Sequence, residues 1–273
     1  MKKLFLILPL VLLAGCKEPV EPTKYEVISI QPFYTLFKDR CSDDTKIGFP
    51  EGVTHETDLL IAGANNLATS LENVSYKEEN KFTDEVINQT MFSKLGKNQI
   101  ILIQSHGEYI DTYLHSTILT GADFDETKVS EEDEERIVES FMWNQETFNN
   151  YEAITFEYIK AYCPDISGSI VYMGQCFGGI DWALATSFLD KGAVAVYGAS
   201  DAIQMHYGDM MQYKVTSLLG EINPATENYY TTGEALAKAQ ELYGIDDKVK
   251  YEGGANGARV LLYGDPNYRL ANK

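Results

Sequence analysis

A histidine and a cysteine, each just past an apolar run, are the residues of this chain best suited to chemistry. The run 100–104 (IILIQ) leads through a serine to His106 and Gly107. The run 169–173 (SIVYM) leads through a Gly-Gln pair to Cys176. In open α/β sheets, ligands bind outside the carboxyl ends of the strands. If the two runs are neighbouring strands, both side chains project into one crevice.

A thiol beside an imidazole can act as a nucleophile. The thiolate is the reactive form, and an imidazole can take the thiol proton and return it to a leaving group. We expect Cys176 to lie near a helix N-terminus, whose dipole favours a thiolate. The backbone N–H groups of Gly107 and Cys176 are candidates to stabilise an oxyanion, and glycine at 107 lets a substrate carbonyl approach closely.

Apolar runs that alternate with helical stretches predict one α/β domain over residues 25–273, with a mostly parallel sheet and helices on both faces. The runs are short and flanked by Gly or Ser, which favours strands buried on both faces. The predicted strands are residues 25–30, 58–62, 100–104, 169–173, 193–197 and 259–263. The predicted helices are residues 83–95, 131–148, 150–162, 179–190, 207–220 and 233–243.

The acidic segment at the start of the predicted helix 131–148 has two interpretations. Ser130 can cap that helix, with the acids of residues 131–135 near its positive end. Alternatively, the preceding loop binds a cation such as calcium through Asp123, Asp125 and Glu126, although their spacing matches no EF-hand loop. The chain has no HExxH or CxxC motif, so we expect neither a metal site nor a cofactor.

The first fifteen residues have the regions of an export signal. Two lysines precede the apolar run 4–13, which is too short to span a bilayer, and small residues lead to Cys16. Residues 13–16 (LAGC) resemble the bacterial lipobox, in which the cysteine is acylated and becomes the first mature residue. A plain signal peptide with a chance cysteine is the alternative.

The lipobox resemblance implies a lipid-anchored protein of the bacterial cell envelope. Residues 1–15 would be removed, and residues 16–24 would form a lipidated tether. Lys17, in place of aspartate, favours outer-membrane sorting and leaves the membrane face open. Two or three acyl chains on Cys16 would anchor the chain stably in the bilayer.

The formal net charge of −19 over 273 residues bears on the partners. So acidic a protein repels phosphate backbones, and we expect no nucleic-acid partner. Solubility accounts for the charge, and attraction to basic substrates is the functional alternative.

The four cysteines suggest different roles. With Cys16 used for lipid, two of the others can pair in an oxidising envelope. A Cys41–Cys163 disulfide would leave Cys176 as the single free thiol, which suggests a reactive role. Sequence alone does not fix this pairing.

Among the other histidines, His115 and His206 are the alternatives to His106.

Five motifs in order resemble the clan of cysteine peptidases that includes caspases, legumain, clostripain and gingipains. Two are the runs that end at His106-Gly107 and at Cys176. The others are residues 192–200 (GAVAVYGAS), 233–236 (GEAL), and the closing strand 262–266 (LYGDP) with an Arg-Leu pair after it. They resemble gingipain-like and CHAT-type members, over about residues 55–270. Each motif alone is weak, but their order is specific.

The resemblance implies a caspase-hemoglobinase fold, a three-layer sandwich, with His106 and Cys176 as a catalytic dyad and Gly107 as an oxyanion donor. It also implies cleavage of peptides or proteins after one selected side chain. Two departures leave specificity open. The His-to-Cys gap of 70 residues (176 − 106) is longer than in caspases, and Gln175 replaces the alanine or acid common before the nucleophile.

Specificity residues should line the strand that follows the nucleophile. Asp201, beside Ser200, is the candidate floor of the pocket for the residue before the cleaved bond (P1). An acid there would select Arg or Lys, as in the clostripain and gingipain branches, whereas a loop aspartate that caps the next helix is the alternative. Glu108 and Asp111 are further candidates to orient His106 or to bind substrate.

The sequence therefore predicts a lipid-anchored cysteine endopeptidase. The alternatives are a catalytically inactive lipoprotein of the same fold that binds a peptide or protein partner, and a structural envelope lipoprotein.

Overall fold

Both candidate catalytic segments belong to a seven-stranded, mostly parallel sheet. The computed structural model describes residues 22–38, 49–84, 87–110, 115–143, 148–250 and 257–273. The sheet order is β14-β11-β10-β4-β1-β2, with β3 also paired to β1, and only β14 runs antiparallel. Its strands are β1 (Tyr25–Gln31), β2 (Val74–Ser75), β3 (Lys81–Thr83), β4 (Gln99–Gln104), β10 (Ile170–Gly174), β11 (Ala195–Ala199) and β14 (Val260–Gly264).

Helices contact this sheet on both faces. Ile100 and Leu102 of β4 belong to a buried cluster with helices α2 (Thr57–Ser70), α5 (Met205–Leu218) and α6 (Thr232–Tyr243). The alternate residues Ile101 and Ile103 belong to a second cluster, with α3 (Phe156–Tyr162) and α4 (Ala183–Asp190). Successive strand residues point to opposite faces, so a strand covered on both sides is apolar throughout. The predicted α/β class and mostly parallel sheet are confirmed.

A separate antiparallel sheet, in the order β7-β9-β8, occupies the region predicted as helices 131–148 and 150–162. Its strands are β7 (Ile118–Asp123), β8 (Ile137–Trp143) and β9 (Phe148–Ile154). The first helix prediction is wrong, and the second holds only for α3. In β8, Val138, Ser140 and Met142 are buried while the residues between them are exposed. This period of two indicates a strand. The sequence analysis predicted a helix instead, because it gave more weight to the acidic residues 131–135.

The segment 58–62, predicted as a strand, lies in α2, and this prediction is also wrong. Leu59, Leu60, Ala64 and Leu67 are buried along one side of that helix, which is the spacing of 3.6 residues per turn. The predicted helix 83–95 is a 3₁₀ helix over Gln89–Lys94. The predicted helices 207–220 and 233–243 correspond to α5 and α6.

The remaining elements are short: α1 (Tyr34–Lys38), the hairpin β5 (Tyr109–Ile110) with β6 (His115–Ser116), and the hairpin β12 (Ile222–Asn223) with β13 (Asn228–Tyr229). Of the predicted functional residues, Cys16, Cys41 and Asp111 lie outside the described residues, as does the signal segment 1–15. In the part of the chain that the structure describes, no helix is both long and apolar enough to cross a membrane.

Candidate active site

His106 and Cys176 follow two neighbouring strands at equal distances from their ends. The register of β4 and β10 pairs Gln104 with Gly174. His106 lies two residues beyond Gln104 (106 − 104) and Cys176 two residues beyond Gly174 (176 − 174). Because the strands are parallel, both residues reach the same edge of the sheet, where they line one cavity.

Gly107 is in close contact with the segment that carries Cys176. A Cβ at position 107 would overlap the carbonyl oxygen of Cys176 and would lie 2.8 Å from Cγ of Gln175. The missing side chain therefore makes room for the protein's own backbone. That contact is one reason for this glycine, and the expected space for a substrate carbonyl stays a prediction.

Aromatic packing sets the position of the His106 ring. The rings of Phe33, just after β1, and Phe37, in α1, lie edge-on to the imidazole, with centroid distances of 5.8 Å and 5.1 Å. The backbone is fixed as well, because the His106 carbonyl accepts a hydrogen bond from Leu119 N at 3.1 Å. The half-buried imidazole is thus fixed beyond the carboxyl end of β4 by contacts with Phe33, with α1 and with β7.

The loop that carries Cys176 is bound to the end of β11. Phe177 N donates to Asp201 O at 3.0 Å, and Gly179 N donates to Ala199 O at 2.8 Å. Phe177 has a positive φ of 61°, which is uncommon for a non-glycine residue outside sites that hold strain. A Cβ at Gly179 would lie 3.0 Å from the neighbouring backbone of β11, so the glycine permits this close approach.

Cys176 does not lie near a helix N-terminus, so the prediction that a helix dipole favours its thiolate is wrong. The predicted helix 179–190 begins at Ala183, seven residues beyond Cys176 (183 − 176). A helix dipole acts within about the first turn, so α4 does not stabilise a thiolate there. Asp181 lies just before α4, and its carboxylate accepts hydrogen bonds from Ser116 N and Ala183 N.

The thiol of Cys176 is neutral at physiological pH. Burial raises the pKa of Cys176, and the nearby negative charges of Asp201 and Asp247 raise it further, while the backbone of Ile203 partly opposes the shift. Sγ accepts a hydrogen bond from Ile203 N at 3.4 Å and lies 3.7 Å from Ile203 O. A nucleophilic role therefore requires a base that removes the proton as attack occurs.

The cavity that His106 and Cys176 share has a volume of about 80 Å³. It is bounded by the ends of β4 and β10, by α1 and by the start of α5. Its lining residues are Phe37, Gln104, Ser105, His106, Gly174, Gln175, Cys176, Ile203, Met205, Gly208 and Asp209.

Asp209 is the residue of this cavity that the sequence analysis missed. It lies on α5 and is 4% exposed. A signal was present, because Asp209, Gln212 and Thr216 are polar, buried and spaced along one side of the helix. Apolar residues normally occupy the buried side of such a helix, so this polar stripe marks a special environment.

The predicted substrate-binding residues hold loops in place. Asp201 accepts from Phe177 N through its carbonyl and from Ala202 N through its carboxylate, at 3.0 Å and 2.7 Å. Ser200 exchanges hydrogen bonds with Arg259, just before β14. Neither lines the cavity as the described residues form it. The Glu108 carboxylate accepts from Ser140 Oγ on β8, which ties the small sheet to the segment after His106.

His115 and His206 each lie beside a carboxylate. His115 Nδ1 is 3.3 Å from Asp181, and its ring lies edge-on to Phe156. His206 Nδ1 is 3.1 Å from the buried Glu56. Neither lines the cavity, again among the residues that the structure describes.

The loop that was the alternative cation site makes local contacts at Asp125. The Asp125 carboxylate accepts from Thr127 N and pairs with Lys128 at 2.9 Å; its hydrogen bonds with Thr127 and Lys128 lower the pKa of Asp125 to about 2. Within the described ranges, no group of three or more metal-ligating side chains is present.

Cys163 lies in the core beside Ile159 and Ile166, and burial raises the pKa of its thiol to about 11. Its expected disulfide partner, Cys41, lies outside the described residues, so the pairing stays a prediction.

Neither protein-family models nor the curated proteins give a match to this chain. The case for function therefore rests on the residues and their geometry.

The contact between Gly107 and Cys176 predicts the effect of Gly107→Ala. The added methyl group would force two backbone segments apart, at a cost of about 1–3 kcal/mol. Urea denaturation should show that loss, whereas Gly96→Ala, whose Cβ would be 3.6 Å from its nearest neighbour, should change stability by no more than about 0.5 kcal/mol. Equal effects of the two substitutions would contradict the contact.

The raised pKa of Cys176 predicts how it reacts with iodoacetamide. Because only the thiolate reacts, the rate should increase about tenfold per pH unit through neutral pH and level off only above the ordinary thiol value of 9.0. Peptide mass spectrometry can follow Cys176, with buried Cys163 as a slower internal control. A plateau below pH 7 would reveal a stable thiolate–imidazolium pair instead.

Proposed function

We propose that this chain is a cysteine endopeptidase in which His106 and Cys176 form the catalytic dyad. One observation carries the proposal: the two residues lie at matched offsets beyond paired parallel strands and line the same cavity. The carboxyl edge of a parallel sheet is where ligands bind in α/β proteins. The strand order, with helices on both faces, supports a caspase-like three-layer sandwich.

The neutral thiol sets the order of proton transfers. His106 removes the proton of Cys176 as Sγ attacks the carbonyl carbon of the scissile peptide bond. Backbone N–H groups of Gly107 and Cys176 are proposed to bind the resulting oxyanion. The imidazolium then gives its proton to the leaving amine as the C–N bond breaks. Water, deprotonated by His106, attacks the thioester, and the returning proton restores the thiol.

We further propose that the protein is anchored in the bacterial envelope, in the outer membrane, by acylation of Cys16. The export signal and the lipobox at residues 13–16 support this part of the proposal. An anchored peptidase acts on peptides or proteins in or near the membrane surface.

A binding protein of the same fold is the second candidate. The argument in its favour is the raised pKa of the half-buried Cys176, which leaves the thiol protonated. In that case the cavity would bind a peptide and the dyad would not cut it.

Substitution of the dyad distinguishes the two candidates. In the full-length protein, purified in detergent under reducing conditions, Cys176→Ala should abolish cleavage of a fluorogenic peptide library, and His106→Ala should lower kcat/KM by about 10²–10⁴-fold. His115→Ala supplies a matched control, because it removes a histidine away from the cavity and should keep most of the activity.

Two results would count against the peptidase. Cleavage that survives Cys176→Ala would come from a contaminant or another site. Binding of library peptides without any cleavage would support the binding protein.

A further inference from the structure

The chain enters the domain at the edge of the sheet opposite the proposed active site. β1 begins at Tyr25, and its register pairs Ile30 with Ile103 of β4, close to the strand end that leads to His106. The carboxyl ends of these parallel strands therefore share one edge. We call the opposite edge the amino edge. It consists of the segments that lead into β1, β2, β4, β10 and β11 and the chain after β14: residues 22–24, 70–73, 94–98, 163–169, 190–194 and 265–273.

Hydrogen bonds fix the chain to the amino edge from Thr23 onward. Asn73 Nδ2 donates to Thr23 O at 2.8 Å, and Tyr25 N donates to Asn73 O at 2.8 Å. The hydroxyl groups of Tyr25 and Tyr268 are also hydrogen-bonded to each other. An anchor placed before Thr23 therefore holds the domain at its amino edge.

The chain length between Cys16 and the domain limits how the domain can lie on a membrane. Thr23 is seven residues beyond Cys16 (23 − 16), so it lies within about 25 Å of the acylated residue, whereas a domain of this size is roughly 45 Å across. A domain inverted onto its carboxyl edge would need almost all of this reach, because the seven residues of β1 would raise Thr23 by about 20 Å. Stretching the chain in this way costs conformational entropy.

The two edges of the sheet also differ in charge. In a chain of net charge −19, the amino edge carries six basic and four acidic side chains. They are Lys24, Lys94, Lys97, Lys191, Arg269 and Lys273, with Glu72, Asp165, Asp190 and Asp265. The segments that follow β1, β4, β10 and β11 and that lead into β14 carry four basic and six acidic side chains, over residues 32–38, 105–110, 175–182, 200–209, 245–250 and 257–259. Anionic lipid headgroups attract lysine and arginine and repel acids, so they favour contact with the amino edge.

A groove at the point of entry has side chains that suit a lipid interface. It has a volume of about 730 Å³ and lies between residues 22–25, residues 70–73, Tyr229 and residues 268–272. The tyrosines and Lys24 each combine an apolar body with a polar tip, which is the side-chain type found at the level of the headgroups. Arg269 Nε donates to Tyr229 O at 2.8 Å and so joins two of the segments that line the groove.

We propose that the amino edge rests on the lipid headgroups of the anchoring bilayer, so that the cavity of His106 and Cys176 faces away from the membrane. This inference rests on the proposed acylation of Cys16 and does not depend on the peptidase activity. The seven residues of β1 place the carboxyl edge about 20 Å further from the bilayer than the amino edge. The site then reaches soluble peptides and the protruding parts of membrane proteins, whereas segments at headgroup level stay out of its reach.

Tryptophan fluorescence tests which edge meets the lipid. The full-length acylated protein is placed in vesicles of phosphatidylethanolamine and phosphatidylglycerol with acyl chains brominated next to the headgroup, because bromine quenches nearby tryptophan. Phenylalanine replaces the two native tryptophans, Trp143 and Trp182. A single tryptophan is then introduced at an exposed position, by Asn272→Trp or Glu72→Trp at the amino edge or by Ile245→Trp at the carboxyl edge. Quenching should be several-fold stronger at the amino edge.

Charge reversal tests whether the edge itself binds the headgroups. Lys24→Glu combined with Lys97→Glu, at two exposed positions of the amino edge, should remove most of the quenching at position 272. Lys248→Glu combined with Lys250→Glu makes the same change of charge beside the carboxyl edge and should leave that quenching unchanged. Thermal unfolding of each variant verifies that it is folded.

The outcomes separate this inference from the proposed function. Equal or stronger quenching at position 245, or no quenching at either edge, would overturn the inference and leave the anchored peptidase intact. Quenching at position 272 that survives the reversal of Lys24 and Lys97 would also overturn it, since the tether alone would then account for the proximity. Mass spectrometry of the N-terminal peptide reads the anchor: without acyl chains on Cys16, the proposed anchoring and this inference would fail together, while the dyad substitutions would still decide the peptidase.

Discussion

The parallel pairing of β4 with β10 is the constraint on which the site depends. The register places Gln104 opposite Gly174, and it thereby sets where His106 and Cys176 leave the sheet. Side chains alternate along a strand, so a slip of one residue would turn each buried residue of β10 to the opposite face. The two hydrophobic clusters on the two faces hold that register, and the contact of Gly107 with Cys176 extends it beyond the strands.

The same burial explains which elements the sequence could predict. β4 and β10 are continuous apolar runs because both faces are covered, and such runs are short strands bounded by small residues. The segment 58–62 has the same local composition, yet it begins α2; the evidence for a helix lies further on, in the spacing of Leu60, Ala64 and Leu67. β8 was missed for the opposite reason, since the acids of residues 131–135 resemble a helix start and their turn leads into a strand.

The candidate site was predictable only where residues lie next to the strands that position them. His106 and Cys176 are two residues from strand ends, so local sequence was enough to select them. The environment of the thiol was not predictable, because it depends on where α4 begins and on the backbone of Ile203, which comes from another loop. Asp209 follows Cys176 by 33 residues (209 − 176) and reaches the cavity only through the packing of α5.

The site concentrates features that a fold selected for stability alone would avoid. Phe177 has a left-handed backbone, and Asp209 is an acid buried without a full set of partners. Such features persist where the surrounding structure over-determines them. Here α5 does so, since Met211 and Val215 anchor it in the core and the side chain of Gln204 caps its first turn. The helix is thus fixed by contacts outside the cavity, and it holds the Asp209 carboxyl at the cavity wall.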